Sequence, residues 1–128
     1  MTFNIPSPSM GEVFRNHYPF FVPKYQRGYA WETEEVADFI NDVKALSART
    51  RPRTPHFMGG MVNVYIPAAN SVSRRHEVVD GQQRMATVSL AMSNIMSGLG
   101  TLASGSTDPA ISGACAAKRE EIREAFLD

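Results

Sequence analysis

The sequence is poor in cysteine and has no excess of either charge. Cys115 is the single cysteine among 128 residues, so a disulfide within one chain is excluded, as is usual in a reducing cytoplasm. Lysine and arginine total 13, and aspartate and glutamate also total 13. Net charge therefore demands neither nucleic acid nor a membrane as partner. We expect a cytoplasmic protein whose ligands are selected by local sites.

Long apolar runs and metal-ligand spacings are missing as well. No apolar run approaches the ~18 residues that cross a bilayer, and no basic stretch followed by an apolar one opens the chain, so we expect no membrane association. The three histidines stand in unrelated contexts, without an H-x-x-x-H, H-E-x-x-H or paired-cysteine pattern. The Walker and G-x-G-x-x-G spacings are absent too, which removes the two standard nucleotide fingerprints.

Hydrophobic periodicity predicts an α+β fold, a small mixed sheet with surrounding helices. Apolar residues at i, i+3, i+4 and i+7 spacing indicate helices, and a Ser9–Glu12 capping box introduces the first of them. Two β-branched runs indicate an antiparallel hairpin. The predicted elements are helices over 10–17, 33–47, 82–97 and 116–127 and strands over 57–66 and 75–79.

The rest of the chain is predicted to be extended chain or loops within one domain, residues 1–128. Residues 3–5 indicate a short strand, and residues 18–23 extended chain between two prolines. Residues 98–113 are rich in Gly, Ser, Thr and Ala, which predicts a flexible loop. Gly59 and Gly60 interrupt a predicted strand and suggest a bulge or close approach of another group.

The most informative stretch is residues 77–90. A β-branched run ends in an Asp-Gly pair, two glutamines and an arginine follow, and an apolar helical segment then begins. The first N–H groups of a helix lack intrahelical partners, and the helix dipole adds positive potential, so such a turn readily holds an anion. Gly81 permits close approach or a positive φ, and Arg84 can fork onto phosphate oxygens. The alternative is an ordinary turn before a helix.

Three motifs, in order, resemble those of a known family. Residues 22–31 (VPKYQRGYAW) resemble the IPxYQRxYxW signature of the N-terminal domain of GmrSD-type modification-dependent restriction enzymes. Residues 57–62 (FMGGMV) are similar to that family's FxGxxV strand, and residues 79–87 match its IDGQQRxxT motif. Gly28 stands where the family commonly has proline, which loosens that loop. The resemblance implies a fold similar to ParB and sulfiredoxin, in which the strand–turn–helix contacts nucleotide phosphates.

The resemblance also implies a function, namely nucleotide binding with NTP hydrolysis in the regulatory part of an anti-phage restriction system. The nucleotide is ATP, GTP or CTP. The residues implied in catalysis are Asp80, Gln82 and Gln83. Those implied in nucleotide and phosphate binding are Tyr25, Gln26, Arg27, Gly81, Arg84 and Thr87.

Several of these residues have more than one interpretation. Asp80 either holds Mg²⁺ through water or forms an Asx-turn or helix cap. Gln82 or Gln83 orients an attacking water, or both are merely solvated. Trp31 is either a face for stacking a nucleotide or an anchor in the core.

The expected partners follow from the same resemblance. The resembled enzymes continue into a helical region and a separate nuclease domain with histidine-containing motifs, so we expect that domain to be missing here and DNA to be reached through a longer protein. The rival function is a non-enzymatic DNA- or protein-recognition module. In that case residues 49–53, with three arginines, contact the DNA backbone together with the Tyr-Gln-Arg loop; solvated loops are the simpler interpretation.

Overall fold

The computed structural model describes residues 8–15, 20–48, 56–66 and 75–126. Within them the chain forms four helices and a three-stranded mixed sheet, which confirms the predicted α+β class. The likeness to ParB and sulfiredoxin stays a prediction. The elements are α1 (Met10–Phe14), β1 (Phe20–Phe21), α2 (Thr33–Ser47), β2 (Val62–Ile66), β3 (Arg75–Asp80), α3 (Gln82–Gly105) and α4 (Pro109–Phe126).

The chain divides into two compact units. The sheet unit is Pro19–Thr87, and the helical unit is Met1–Tyr18 together with Val88–Asp128. Helix α3 therefore begins in the sheet unit and continues in the helical unit. In the part of the chain that the structure describes, no helix is both long and apolar enough to cross a membrane.

The sheet has the strand order β1-β3-β2. Strand β2 runs antiparallel to β3, which confirms the predicted hairpin, and β1 pairs in parallel with the other edge of β3. Val78 in the central strand is 1% exposed and is the most buried apolar residue of the sheet.

Strand β2 is shorter than predicted, because it begins at Val62 rather than at residue 57. Gly59 has φ +95°, outside the β region. The backbone therefore cannot continue as a regular strand through residues 57–61. The two glycines in this segment were the signal for such an interruption, and Gly59 confirms it.

Helix α2 has the predicted bounds, Thr33–Ser47. The Glu35 carboxylate accepts a hydrogen bond from the Glu32 backbone N–H at 2.9 Å, which satisfies one free donor at the helix start. Trp31 packs against Phe39 with ring centroids 6.2 Å apart. This contact supports the interpretation of Trp31 as a packing anchor.

The helical unit begins with the predicted capping box. The Ser9 hydroxyl accepts from the Glu12 N–H at 3.3 Å, and the Glu12 carboxylate accepts from the Ser9 N–H at 2.7 Å. Helix α1 ends at Phe14, whose ring lies 5.5 Å from that of Phe126 in α4. Arg15 is the C-cap of α1, so the helix is shorter than the predicted range 10–17. Residues 16–17, the predicted strand over 3–5 and the arginines at 49–53 lie outside the described residues.

The prediction of a loop over residues 98–113 is wrong. Helix α3 continues to Gly105 and α4 already begins at Pro109. The small polar side chains bond back to their own helix; the Thr101 hydroxyl, for example, donates to the Ser97 carbonyl at 3.2 Å. Asp108 accepts from the Ala110 N–H at 2.8 Å, so Asp108 and Pro109 start α4 as N-cap and first helical residue.

Candidate anion-binding site

The turn between β3 and α3 is built around a glycine. Gly81 has φ +94°, and its carbonyl accepts the first helical hydrogen bond, from the Met85 N–H at 3.1 Å. A Cβ at Gly81 would lie 3.1 Å from Cγ of Met61. Gly81 therefore has both the expected positive φ and a close neighbour. The first backbone N–H groups of α3 follow directly after this turn.

Arg84 is held by the segment before β2. Its Nη1 donates to the Met58 carbonyl at 2.8 Å, and its guanidinium lies so close to Gly59 that a Cβ there would overlap it. Arg84 is half-buried, and no carboxylate among the described residues forms an ion pair with it. Within the described part of the chain, one neutral carbonyl thus holds a cation that no carboxylate pairs with.

A second segment, residues 24–30, lies against the same turn; we call it the YQR loop. The Gln26 Nε2 donates to the Val79 carbonyl at 3.1 Å, and the Gln82 Nε2 donates to the Arg27 carbonyl at 2.8 Å. These bonds span 53 and 55 positions of sequence. The two motifs that share a family resemblance therefore meet in space.

Gln83 contacts the YQR loop at two points. Its Nε2 donates to the Gly28 carbonyl at 3.0 Å, and its Oε1 accepts from the Ala30 N–H at 2.8 Å. The residue is 8% exposed. The side chain therefore pairs with the loop backbone as a neighbouring strand would, and neither end of the amide faces solvent freely.

Thr87 and Tyr29 complete this contact. The Thr87 hydroxyl donates to the Gln83 carbonyl at 2.8 Å and lies 3.0 Å from the Tyr29 hydroxyl, which is therefore the donor of that pair. Thr87 is 4% exposed. Its proton is committed to the helix, and the predicted contact of Thr87 with phosphate stays a prediction.

Three of the predicted site residues remain accessible, namely Tyr25, Arg27 and Asp80. Tyr25 is 75% exposed, and Arg27 makes no ion pair within the described residues. Asp80 ends β3 opposite Val62. A ring, a guanidinium and a carboxylate are thus exposed on the YQR loop and at the end of β3.

Metal ligands do not cluster in the part of the chain that the structure describes. There, no group of three or more His, Cys, Asp or Glu residues lies close enough to hold an ion. His56 lies 3.6 Å from Asp42, and both residues are distant in sequence from the turn at residues 80–84. Cys115 is half-buried in α4. Among the described residues Asp80 therefore belongs to no cluster of three or more potential ligands, and it fits Mg²⁺ only as an ion that phosphates and water also ligate.

Two contributors were not among the predicted site residues. The Met58 carbonyl fixes Arg84, and Tyr29 bonds Thr87. Every residue has a backbone carbonyl, so the sequence could not mark Met58 as a partner of Arg84. The adjacent glycines were the only feature that pointed to this segment. Tyr29 stands inside the YQRxY pattern, and its hydroxyl was a signal that could have been used.

A glycine turn at a helix start, an arginine without an ion pair among the described residues and a loop hydrogen-bonded to that turn make this a small α+β domain with a candidate site for an anion. The sequence comparison then gives the family. The model of the GmrSD restriction endonuclease N-terminal domain matches residues 10–127, and the chain belongs to that family. Its role is accordingly in DNA restriction and phage defence. No curated protein matches the chain.

Proposed function

We propose that the chain binds a nucleoside triphosphate at the turn formed by residues 80–84 and hydrolyses it as the regulatory domain of a modification-dependent restriction system. The observation that carries this proposal is Arg84. Its guanidinium is half-buried and bonded to one carbonyl, and no described carboxylate neutralises it. A partly desolvated cation without a counter-charge favours an anionic ligand.

The geometry of Arg84 suits phosphate in particular. Only Nη1 has a hydrogen-bond acceptor among the described residues, so the other N–H groups of the fork remain to bind two oxygens at once. The positive φ of Gly81 places the turn directly before the first helical residues that carry Arg84. Phosphate oxygens at a helix N-terminus gain further from the free N–H groups and the helix dipole.

The YQR loop supplies a second cation and an aromatic ring. The Arg27 carbonyl accepts from Gln82, which anchors that residue's backbone beside the turn while its side chain remains exposed. Tyr25 lies two residues away in the same loop and is 75% exposed. A guanidinium for phosphate and a ring for a base are the groups that a nucleotide requires.

Hydrolysis requires a group that positions the attacking water and a cation that neutralises the phosphates. Magnesium carried by the nucleotide would supply the latter, with Asp80 as its protein carboxylate. The donor groups of Gln82 and Gln83 are engaged by the YQR loop. This favours a positioning role for the glutamines over the predicted orientation of water.

Calorimetric titration tests the proposal. ATP, GTP and CTP are titrated with and without magnesium into the unaltered chain, Arg84→Ala and Arg75→Ala. Arg75 is a matched control, since it lies in the same unit but is paired with Glu77 at 2.8 Å. We expect Arg84→Ala to weaken binding about tenfold or more and Arg75→Ala to leave it unchanged. Equal affinities in a folded Arg84→Ala chain would contradict the site.

The second candidate is a DNA-recognition module, favoured by the exposure of Tyr25 and of its neighbours Lys24 and Arg27. Rings and cations on one loop are typical of surfaces that bind single strands. The dependence of DNA affinity on salt separates the two functions. Contacts with several DNA phosphates give a steep decrease with salt, whereas DNA affinity that stays negligible while nucleotide binds supports the first candidate.

A further inference from the structure

We propose that Gln83, assisted by Gln82, is a positioning residue that holds the YQR loop in the conformation that the anion site requires. The inference deepens the proposed function and rests on it for its ligand. It gives Gln82 and Gln83 the role of holding the YQR loop in place rather than of orienting the attacking water.

The two-point contact of Gln83 is the main observation. One amide group donates to the Gly28 carbonyl at 3.0 Å and accepts from the Ala30 N–H at 2.8 Å. An amide carries a donor and an acceptor side by side in one planar, uncharged group, which matches the carbonyl and N–H of a neighbouring backbone. Glutamine adds the length needed to reach from the helix to the loop backbone.

The loop itself has little else to hold it. All of its residues except Gln26 are exposed, and a Cβ at Gly28 would meet nothing within 4 Å. Apolar packing therefore contributes little, and segments with few buried contacts open readily. Hydrogen bonds with Val79, Gln82, Gln83 and Thr87 involve every residue from 26 to 30, through backbone or side chain.

The two glutamines do not contribute equally. Gln82 makes one bond to the loop, and its Oε1 is buried without a hydrogen-bond partner among the described residues. A buried, unpaired acceptor offsets part of what the donor contributes. Both ends of the Gln83 amide are paired, so removal of Gln83 should loosen the loop more than removal of Gln82.

The same geometry argues against water orientation by Gln83. An amide that orients an attacking water must offer it a free donor or acceptor. The Nε2 and Oε1 of Gln83 are both occupied by the loop, and the residue is 8% exposed. Its effect on a bound phosphate would therefore pass through the loop that carries Arg27.

The experiment compares Gln83→Met, Gln82→Met and Asn94→Ala. Asn94 is the matched control, because its amide donates only within the same helix, to the Leu90 carbonyl at 2.8 Å. Trypsin cleaves after Lys24 and Arg27, so its rate there reports opening of the loop. The affinity for inorganic tripolyphosphate, measured where each variant is fully folded, reports the anion site.

We expect Gln83→Met to raise the cleavage rate at Lys24 and Arg27 and to weaken tripolyphosphate binding, each by roughly tenfold. Gln82→Met should change the cleavage rate and the affinity less than Gln83→Met does, and Asn94→Ala should change neither. A folded Gln83→Met chain with unchanged cleavage and unchanged affinity would overturn the inference. So would a variant that loses kcat for nucleotide hydrolysis while cleavage and affinity stay unaltered, since that pattern marks a group acting on the water.

Hydrogen exchange in the unaltered chain tests the contact even if Gln83→Met fails to fold. The Ala30 N–H bonds Oε1 of Gln83, whereas the Gly28 N–H has no acceptor among the described residues. Ala30 should therefore exchange more slowly than Gly28, and equal rates would overturn the proposal. If the unaltered chain fails to bind tripolyphosphate, the proposed function falls, while cleavage and exchange still decide whether Gln83 holds the loop.

Discussion

Polar side chains near the β3–α3 turn reach across 26 to 58 positions of sequence, whereas side-chain hydrogen bonds described within the helical unit join residues two to four positions apart. In the helical unit, glutamates pair with lysine or arginine one turn away on exposed surfaces. Such local bonds form with the helix itself. The long-range bonds form only when the loop and the turn have already come together, so they depend on the whole sheet unit.

Substitutions that remove local contacts and substitutions that remove long-range contacts should therefore have different effects. Loss of a local bond should weaken one helix end and leave the anion site intact. Loss of a long-range contact should weaken both the stability of the sheet unit and the affinity for anions. Four substitutions or conditions separate these outcomes, and they follow from the largest expected effect to the smallest.

The largest effect is expected from Gly59→Ala. A Cβ at Gly59 overlaps the Arg84 guanidinium, and φ +95° is unfavourable for alanine. We expect a loss of about 2–3 kcal/mol of unfolding free energy, measured by urea denaturation, together with weaker anion binding. Gly60→Ala is the control, since a Cβ there meets nothing within 4 Å. Equal stabilities and equal anion affinities of the two variants would contradict both the positive φ of Gly59 and its proximity to Arg84.

Tyr29→Phe tests one long-range contact of the sheet unit. It removes the donor to Thr87 across 58 positions and should lower the unfolding free energy by about 1 kcal/mol, with faster tryptic cleavage of the YQR loop. Tyr25→Phe alters an exposed hydroxyl in the same loop and should leave both measurements unchanged. If the two variants behave alike, the Tyr29 contact has no role in holding the loop.

Asp108→Ala tests the local side of the comparison. Asp108 accepts from the Ala110 N–H at the start of α4, and loss of an N-cap costs about 1 kcal/mol. The affinity for tripolyphosphate should stay at its unaltered value. Asp38→Ala, an exposed change within α2, is the control for stability. A marked loss of affinity in Asp108→Ala would break the proposed separation between local and long-range contacts.

The smallest effect on stability is expected from lowering the pH. Hydrogen bonds from Ser9 hold the pKa of Glu12 below its usual value, so Glu12 contributes stability above the unfolded pKa and loses it as pH falls through the folded one. Tm should therefore be higher in the unaltered chain than in Glu12→Gln at about pH 7, and the difference should shrink as the pH falls through the lowered pKa of Glu12. A difference that grows in acid would contradict the capping contact.

Most local features of the fold were predictable. The bounds of α2, the Ser9–Glu12 capping box and the start of α3 depend on residues a few positions apart, and the hairpin depends on two neighbouring strands of the sequence. The error at residues 98–113 has a local cause as well. Their composition predicted a loop, yet Asp108 and Pro109 carry the N-cap and first-turn signals that start α4.

The candidate site was predictable as a set of residues but not as a set of contacts. The sequence by itself determined the glycine turn, since the Asp-Gly pair between a strand and a helix requires a residue that tolerates φ +94°. It also placed Arg84 beside that turn, because three positions along a helix return almost to the same face.

Only the tertiary structure decided which backbone atoms the glutamines bond. Gly28 and Ala30 lie 55 and 53 positions from Gln83, and their carbonyl and N–H exist at every residue, so no side-chain pattern identifies them. The same holds for the Met58 carbonyl that anchors Arg84. Backbone partners are chosen by the path of the chain, which the packing of the sheet unit determines and local sequence does not encode.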